Sequence, residues 1–266
     1  MSRELVHLDR EDESIITLTL ARPEKRNALS CELLRQLRSL LRELPTHDRQ
    51  RLLLLRAEGP AFCAGADLEE TLDPQRAEEN GHLLIDVFTA LSELELTTIA
   101  LVDGAAVATG AALLLCCDGW LVTERFSLWF PETQRGLVPA FGQVLLRRRL
   151  SMAQMSRLLL FGHRIEAQEA LDLGLAIARL SQEHKPARDL QEVQRLLQLA
   201  PHALRITKQI MAKGLPSLEE ELKAMLKYHL EARHSHEAKE GLSALVEKRS
   251  PHFCPTLMAP AHRILE

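Results

Sequence analysis

The stretch that decides the fold reads Ala61-Phe62-Cys63-Ala64-Gly65-Ala66-Asp67-Leu68, and Asp103-Gly104-Ala105-Ala106-Val107-Ala108-Thr109-Gly110 repeats its character. Each stretch follows an apolar segment with strand character and leads into a helical one. Small residues let a ligand approach backbone N–H groups, and a helix start favours negative charge. Either stretch alone is more typical of a tight turn. Together they predict two backbone donors that converge on one oxygen, an oxyanion hole.

Outward from these turns, strand-like and helix-like segments alternate. The predicted strands cover residues 14–20, 52–55, 98–102 and 119–123. The predicted helices cover residues 27–44, with Ser30 as N-cap, 77–94 and 110–117. A small-residue loop is predicted over 61–67. This alternation predicts an α/β core with helices outside the sheet.

The second half of the sequence is mostly helical. Apolar residues recur near the 3.6-residue period over 152–161, 167–173, 190–199, 201–213, 217–231 and 235–247. The polar stretch 181–188 is the best boundary between the two halves. We therefore predict an α/β core over residues 1–188 that carries the functional site, and a C-terminal helical region over 189–266 for oligomerisation.

Composition excludes several classes of protein. The 266 residues include 33 Lys and Arg against 37 Asp and Glu, a net charge of −4, which disfavours a protein that wraps nucleic acid. No apolar stretch reaches the ~20 residues needed to cross a bilayer, and the N-terminus has no apolar signal region, so no membrane association is expected. The five cysteines form no CxxC pair, which suits a reducing compartment. These observations predict a cytoplasmic location.

A metal site is not expected either. His234 and His236 form an HxH sequence, but two ligands on one helical face need i, i+4 spacing, and no third ligand stands nearby. Solvated histidines near a helix start are the better interpretation.

One carboxylate stands in an unusual setting. Glu132 follows Pro131 and has the apolar neighbours Trp129 and Phe130, with Phe141 nine residues on. Burial among such groups would raise the pKa of the carboxyl towards the range that is useful for proton transfer. An isolated Glu after Pro is more often a solvated loop residue, so the assignment depends on the other motifs.

Taken in order, the motifs resemble the crotonase superfamily, the enoyl-CoA hydratases and isomerases. The resemblance covers most of the chain and rests on an ordered set of short motifs. They are Leu20-Ala21-Arg22-Pro23-Glu24-Lys25-Arg26-Asn27-Ala28-Leu29, Phe62-Cys63-Ala64-Gly65-Ala66-Asp67-Leu68, Val102-Asp103-Gly104-Ala105-Ala106, Phe130-Pro131-Glu132 with Gly136-Leu137, Gly162-His163-Arg164-Ile165 and Val246-Glu247-Lys248-Arg249.

This resemblance implies a crotonase-like spiral of ββα repeats, with C-terminal helices that assemble a homotrimer or a dimer of trimers. It implies an acyl-CoA thioester as substrate, with coenzyme A as part of the substrate and no separate cofactor. The implied oxyanion-hole donors are the backbone N–H groups of Ala66 and Thr109, although Thr109 stands where relatives have glycine.

The resemblance also implies which residues contact coenzyme A. The matching positions are Lys25, Arg26, Ala64, Asp67, Leu68 and Lys248. In relatives the tail lysine matched by Lys248 reaches a coenzyme A bound to a neighbouring subunit. The alternative for Lys248 is a surface lysine in a charged helix.

Two departures from the family pattern point to the reaction. Hydratases of the family use two glutamates; the second is Glu132, but the first matches Ala112, which cannot move protons. Phe141 adds bulk where hydratases keep an open, wet site, so Trp129, Phe130 and Phe141 are expected to line a dry pocket. This favours Δ3,Δ2-enoyl-CoA isomerisation with Glu132 as the single proton shuttle. The alternatives are an enoyl-CoA hydratase and a non-catalytic acyl-CoA-binding subunit.

Overall fold

The computed structural model of the protein describes residues 3–10, 13–44, 51–180 and 187–253. Its strands are β1 (Val6–Asp9), β2 (Ile15–Leu20), β3 (Leu52–Ala57), β4 (Ala61–Cys63), β5 (Thr97–Val102), β6 (Ala105–Val107), β7 (Gly119–Val122), β8 (Ser127–Trp129), β9 (Ile165–Glu166) and β10 (Ala178–Arg179). Its helices are α1 (Cys31–Glu43), α2 (Leu68–Leu72), α3 (Pro74–Ser92), α4 (Thr109–Leu115), α5 (Ala140–Arg147), α6 (Met152–Leu159), α7 (Ala167–Asp172), α8 (Gln191–Gln198), α9 (Pro201–Ala212), α10 (Leu218–Arg233) and α11 (His236–Glu247). Short 3₁₀ turns cover Pro23–Lys25, Glu132–Arg135 and Ala187–Asp189.

The strands form two sheets, and from β3 to β8 consecutive strands alternate between them. The larger sheet has six strands in the order β1-β2-β3-β5-β7-β10, and the smaller has four in the order β4-β6-β8-β9. From β3 to β8, each pair of strands contributes one strand to each sheet before a helix follows. The fold is therefore the predicted spiral of ββα repeats, in which parallel strands stack from one repeat to the next.

The larger sheet is covered on both faces. Every residue of β2 is buried, as are the first four residues of β3, which explains their continuous apolar runs. The leucine stripe of α1 packs into the main core on one face, and Ser30 caps this helix by accepting a hydrogen bond from the Leu33 N–H. On the other face, Val193 of α8 packs into a second apolar cluster with residues of β2, β3, β5 and β7.

The C-terminal helices return to the core. Leu222 and Leu226 of α10 are buried in the main core, where α10 packs against α3 and α5. Helix α11 packs against the Glu132–Arg135 turn. The predicted boundary at 181–188 lies largely outside the described residues, and the division into regions 1–188 and 189–266 stays a prediction.

The long periodic helices and the strands β2, β3, β5 and β7 were predicted correctly, whereas the other described strands were not. The predicted loop over 61–67 is wrong at its start, because Ala61–Cys63 forms β4 and pairs with β6. Strand β1 was also not predicted, because an alternation of apolar and polar residues over only four positions is a weak signal for a strand. Cys254, one of the five cysteines, lies outside the described residues. In the described part of the chain, no helix combines the length and apolar character that a membrane crossing requires.

Candidate active site

The first small-residue turn links β4 to α2 and leaves one backbone donor free. Gly65 has a φ of +98°, a conformation that favours glycine, and its carbonyl accepts a hydrogen bond of 2.8 Å from the Leu29 N–H. Asp67 caps α2 by accepting from the Glu69 and Glu70 N–H groups. Ala66 lies between Gly65 and Asp67, and within the described part of the chain its N–H donates no hydrogen bond.

The second turn links β6 to α4 in a similar way. Ala108 adopts a positive φ of +53°, which turns the chain sharply before α4 begins at Thr109. The Ala108 N–H donates a hydrogen bond of 2.9 Å to the Trp129 carbonyl, whereas the Thr109 N–H has no acceptor among the described residues. The buried Thr109 hydroxyl also lacks a hydrogen-bond partner there. Thr109 therefore retains the free N–H that an oxyanion hole requires.

The two turns are in van der Waals contact. A Cβ atom at Gly65 would lie 3.0 Å from the Val107 carbonyl oxygen and 3.1 Å from the Ala108 Cβ. Only a residue without a side chain lets the turns approach this closely. The turns touch, and both Ala66 and Thr109 line one cleft.

The cleft holds about 700 Å³ of space, its open mouth included. Its lining combines the two turns, the segment after Glu132 and two C-terminal helices. The lining residues are Ala64, Ala66, Leu68, Thr71, Ala108, Thr109, Glu132, Arg135, Leu137, Val138, Pro139, Ala140, Phe141, Gly142, His229, Arg233, Leu242 and Leu245.

Glu132 is the first residue of the 3₁₀ turn that follows β8. It is 9% exposed, and its Oε2 atom has no hydrogen-bond partner in the described structure. Burial raises the pKa of this carboxyl from its ordinary value of 4.5 to about 7, against smaller opposing effects of a backbone N–H and of the Arg135 charge. A carboxyl with a pKa near neutrality both accepts and returns a proton at physiological pH.

Helix α11 holds the Glu132 turn in place. Gly136 ends the turn with a φ of +65°, and a Cβ atom there would lie 2.2 Å from the Glu237 backbone carbon. Gly241 makes a similar approach from the helix side, where a Cβ atom would lie 2.3 Å from the Arg135 carbonyl oxygen. This backbone-to-backbone contact fixes the direction in which the Glu132 side chain leaves the turn.

Two residues of α10 that the sequence did not point to line the cleft opposite this turn. The ring centroid of His229 lies 4.8 Å from that of Phe141, and Arg233 Nε donates to His229 Nε2 at 3.2 Å. Burial, reinforced by the Arg233 charge, lowers the pKa of His229 to about 3, so the imidazole is neutral with its proton on Nδ1. Burial lowers the pKa of Arg233 to about 10, which leaves it a cation at neutral pH.

The predicted aromatic pocket is only partly present. Phe141 lines the cleft, but Trp129 and Phe130 do not. Trp129 turns away to donate from Nε1 to the Gly162 carbonyl at 3.2 Å. Phe130 packs behind α5, where a Cβ atom at Gly142 would lie 2.5 Å from its ring. The apolar part of the lining consists of Phe141 and smaller aliphatic residues instead.

The residues predicted to contact coenzyme A are divided between the cleft and its surroundings. Ala64 and Leu68 line the cleft. Lys25 and Arg26 are exposed nearby: the Arg26 carbonyl accepts from the Ala64 N–H at 3.0 Å, and Lys25 Nζ lies 2.7 Å from a Glu69 carboxylate oxygen.

Asp67 and Lys248 have other positions. The Asp67 carboxylate pairs with Arg22 at 2.6 Å. Burial would raise the pKa of Asp67, but the Arg22 charge and two backbone N–H donors outweigh it and hold the pKa below its ordinary value. This carboxylate is therefore occupied within the chain. Lys248 is exposed at the end of α11 and does not line the cleft.

Comparison with known proteins gives one consistent result. Residues 10–255 match the sequence profile of the enoyl-CoA hydratase/isomerase family. The enoyl-CoA isomerase/hydratase fer4 of Mycosarcoma maydis is 33% identical over an alignment that covers 94% of this chain and 97% of that protein.

Solved structures agree with this match. The enoyl-CoA hydratase/isomerase of Pseudoalteromonas atlantica superposes with a TM-score of 0.80 at 30% identity, over 94% of this chain and 100% of that one. An enoyl-CoA hydratase of Mycobacterium avium superposes with a TM-score of 0.82 at 28% identity, over 94% of this chain and 99% of that one.

Proposed function

The chain belongs to the enoyl-CoA hydratase/isomerase family of enzymes, and we propose that it isomerises 3-enoyl-CoA thioesters to 2-enoyl-CoA thioesters. Glu132 removes a proton from C2 of the acyl group and returns it at C4, so that the double bond moves into conjugation with the thioester. The proton only changes carbon, and one carboxylate suffices for both transfers.

The observation that carries this proposal is the state of Glu132. Its Oε2 atom is buried without a partner, and the carboxyl has a pKa of about 7 beside a cleft with two free backbone N–H groups. As the C2 proton leaves, negative charge develops on the thioester oxygen. The N–H groups of Ala66 and Thr109 stabilise that charge, a contribution of about 10²–10³ in rate for each such donor.

A second observation favours isomerisation over hydration. Among the described residues that line the cleft, Glu132 is the only carboxylate. Ala112, at the position of the missing glutamate, is 1% exposed on α4 and does not reach the cleft. His229 is neutral, and its Nε2 is occupied by Arg233. Hydration needs a positioned, activated water as well as a proton donor, and the loss of one acid or base costs about 10²–10⁴ in rate.

The coenzyme A moiety is proposed to leave the cleft past Ala64 and Leu68. The exposed side chains of Lys25 and Arg26 adjoin that turn and suit the phosphate groups of coenzyme A. Asp67 is occupied within the chain, since its carboxylate pairs with Arg22 and its carbonyl accepts from the Thr71 N–H and hydroxyl, so its proposed contact with coenzyme A is limited to packing. Lys248 is proposed to serve a coenzyme A bound to a neighbouring subunit, and no cofactor beyond the substrate's own coenzyme A is needed.

The test is a paired assay on substrates of one chain length. We expect 3-hexenoyl-CoA to be converted to the conjugated isomer, and 2-hexenoyl-CoA to be hydrated at least about 10²-fold more slowly, the minimum contribution of a missing acid/base partner. Faster hydration than isomerisation would establish the hydratase alternative. Turnover of neither substrate, with both bound, would overturn the proposal.

We also propose that the enzyme assembles as a homotrimer or a dimer of trimers. Helix α9 leaves Ile206, Ile210 and Met211 exposed, and Met211 is 75% exposed. Apolar side chains on one helix face are typical of a surface that another subunit covers. Sedimentation velocity at micromolar concentration is expected to show a trimer or hexamer, and a stable monomer would contradict this assembly.

A further inference from the structure

Two arginines line the cleft, and among the described residues neither makes an ion pair with a carboxylate. The side chain of Arg135, which is half-buried, makes no hydrogen bond in the described part of the chain, and the charge acting on it is that of Glu132. Among the described residues, the Arg233 side chain donates to two neutral acceptors, His229 Nε2 at 3.2 Å and the Thr71 carbonyl at 3.3 Å. By contrast, Arg22 outside the cleft pairs with Asp67 at 2.6 Å.

An unpaired cation in a partly apolar cleft is costly to the free protein. Burial lowers the pKa of Arg135, more than the Glu132 charge raises it, yet a guanidinium remains charged at neutral pH. Desolvated charge without a partner is destabilising, and a bound anion removes that cost. Arginine is suited to this role because its planar fork binds a carboxylate through two parallel hydrogen bonds.

We propose that the cleft selects acyl-CoA thioesters whose acyl group carries a second, free carboxylate, with Arg135 as its main partner and Arg233 as a second cation. The inference rests on the proposed function only in placing an acyl-CoA thioester in this cleft. It names the substrate class, a dicarboxylic acyl-CoA, and Arg135 and Arg233 as specificity-determining residues.

The anion belongs to the acyl end rather than to the phosphates of coenzyme A. Arg135 ends the 3₁₀ turn that Glu132 begins, and Glu132 is the residue proposed to act on the acyl carbons. The basic residues proposed for the phosphates, Lys25 and Arg26, are exposed beside the Ala64 turn instead.

The test compares saturated ligands that differ only in charge. Glutaryl-CoA and adipyl-CoA carry a terminal carboxylate, and their neutral counterparts carry an isopropyl group of the same shape. Calorimetry of the wild-type protein is expected to show roughly 10- to 100-fold tighter binding for at least one charged ligand, as for a charge-assisted hydrogen bond. Arg135→Gln is expected to abolish that preference and leave the affinity for the neutral ligands and for free coenzyme A unchanged.

Arg179→Gln is the matched control. Arg179 is an exposed arginine on β10 that does not line the cleft, so the preference for the charged ligand is expected to survive its replacement. Arg233→Lys keeps the second charge and is expected to weaken the preference only in part.

Two results would overturn the inference. One is equal binding of the charged and neutral ligands by the wild-type protein. The other is a uniform loss of affinity in Arg135→Gln, free coenzyme A included, which would place Arg135 at a phosphate. Because these ligands have no double bond, neither outcome depends on whether the enzyme isomerises or hydrates its substrate.

Discussion

The two walls of the cleft are built from different chemical groups. The backbone wall, residues 64–68 and 108–109, offers N–H groups from turns of small residues. The side-chain wall, residues 132–142 with His229 and Arg233, offers one carboxylate, two guanidinium groups and an aromatic ring. In the proposed function, the backbone wall stabilises the thioester enolate. The side-chain wall is proposed to determine which proton moves and which acyl group enters.

This difference predicts how each wall responds to substitution. The direction of the N–H groups on the backbone wall depends on φ and ψ, so a substitution affects them only when it alters the path of the chain. Groups on the side-chain wall act through their charge and their protons, so a substitution that keeps the shape of the side chain is enough to remove their effect. The predictions that follow test this contrast, beginning with the largest expected effect.

On the side-chain wall, a substitution that hardly changes shape is expected to remove most of the turnover. Glu132→Gln keeps the size of the side chain and removes its ability to accept a proton. Turnover is expected to fall by roughly 10²–10⁴-fold, the contribution of a positioned acid or base, while binding of a saturated acyl-CoA is retained. Steady-state assays and calorimetry on the same preparation measure the two quantities.

The pH profile provides the control for this variant. A base with a pKa of about 7 must be ionised to act, so wild-type kcat/KM is expected to rise through pH ~7 and then level off. The residual activity of Glu132→Gln should lack that rise. Wild-type turnover by the variant would show that another group moves the proton.

The same substitution is expected to stabilise the fold. Folding raises the pKa of Glu132 from 4.5 to about 7, so between these values the folded state holds a proton that the unfolded state has lost. Stability from this residue is therefore lost as pH rises through that window, by about 3 kcal/mol in full. Glu132→Gln avoids this loss.

Denaturant unfolding of both proteins at pH 4 and pH 8 measures this effect. The advantage of Glu132→Gln over wild type is expected to be small at pH 4 and to grow by about 3 kcal/mol at pH 8. Contributions from His229 are shared by both proteins and cancel in the difference. An advantage that is independent of pH would mean that Glu132 is not held protonated by burial.

On the backbone wall, turnover is expected to fall when a substitution displaces a backbone N–H group. Gly65→Ala places a Cβ atom 3.0 Å from the Val107 carbonyl oxygen at a φ of +98°, so the turn must shift and carry the Ala66 N–H with it. Turnover is expected to fall about tenfold or more, since a misplaced oxyanion donor loses part of a contribution of 10²–10³.

Gly174→Ala is the matched control for this substitution. Gly174 also has a positive φ, +69°, but nothing lies within 4 Å of the added Cβ atom. It is expected to lose a similar stability, about 1 kcal/mol, without loss of turnover. Equal turnover of the two variants would show that the approach of the two turns does not position the donor.

The two walls also differ in how well the sequence predicted them. The backbone wall follows in part from local residues: small residues after an apolar strand predict backbone donors in each turn, and the family resemblance assigns them to Ala66 and Thr109. The pairing of β4 with β6 was missed, because strands of three residues built from alanine and cysteine show no period of two. Their pairing is decided by the next turn of the spiral, not by their own composition.

Half of the side-chain wall comes from residues about a hundred positions away. Glu132 and Phe141 were predicted, but His229 and Arg233 were not, because no local motif joins them to the turn. A weaker signal was present: His229 and Arg233 continue the helical spacing that Leu222 and Leu226 begin. Polar residues at positions of an apolar stripe indicate that the helix end faces a cleft rather than the core.

The smallest effect is expected where the missing glutamate would be restored. Ala112→Glu adds a carboxylate on α4, but Ala112 does not line the cleft, and Phe141 is 1% exposed between Phe88 and His229. The new carboxylate is therefore not expected to reach a water in the cleft. Hydration of crotonyl-CoA is expected to rise less than about tenfold, well below the 10²–10⁴ of a positioned acid or base.

Combining Ala112→Glu with Phe141→Ala is expected to raise hydration further, because the double variant has both a carboxylate and room for water. Alanine is preferred to glycine at this position on α5, since glycine in a helix costs about 1 kcal/mol more. Removal of a buried phenylalanine costs about 3–5 kcal/mol, so thermal unfolding must show that the double variant is folded at the assay temperature. A rise of 10²-fold in Ala112→Glu alone would show that the second carboxylate was all that the side-chain wall lacked, and that Phe141 has no part in choosing the reaction.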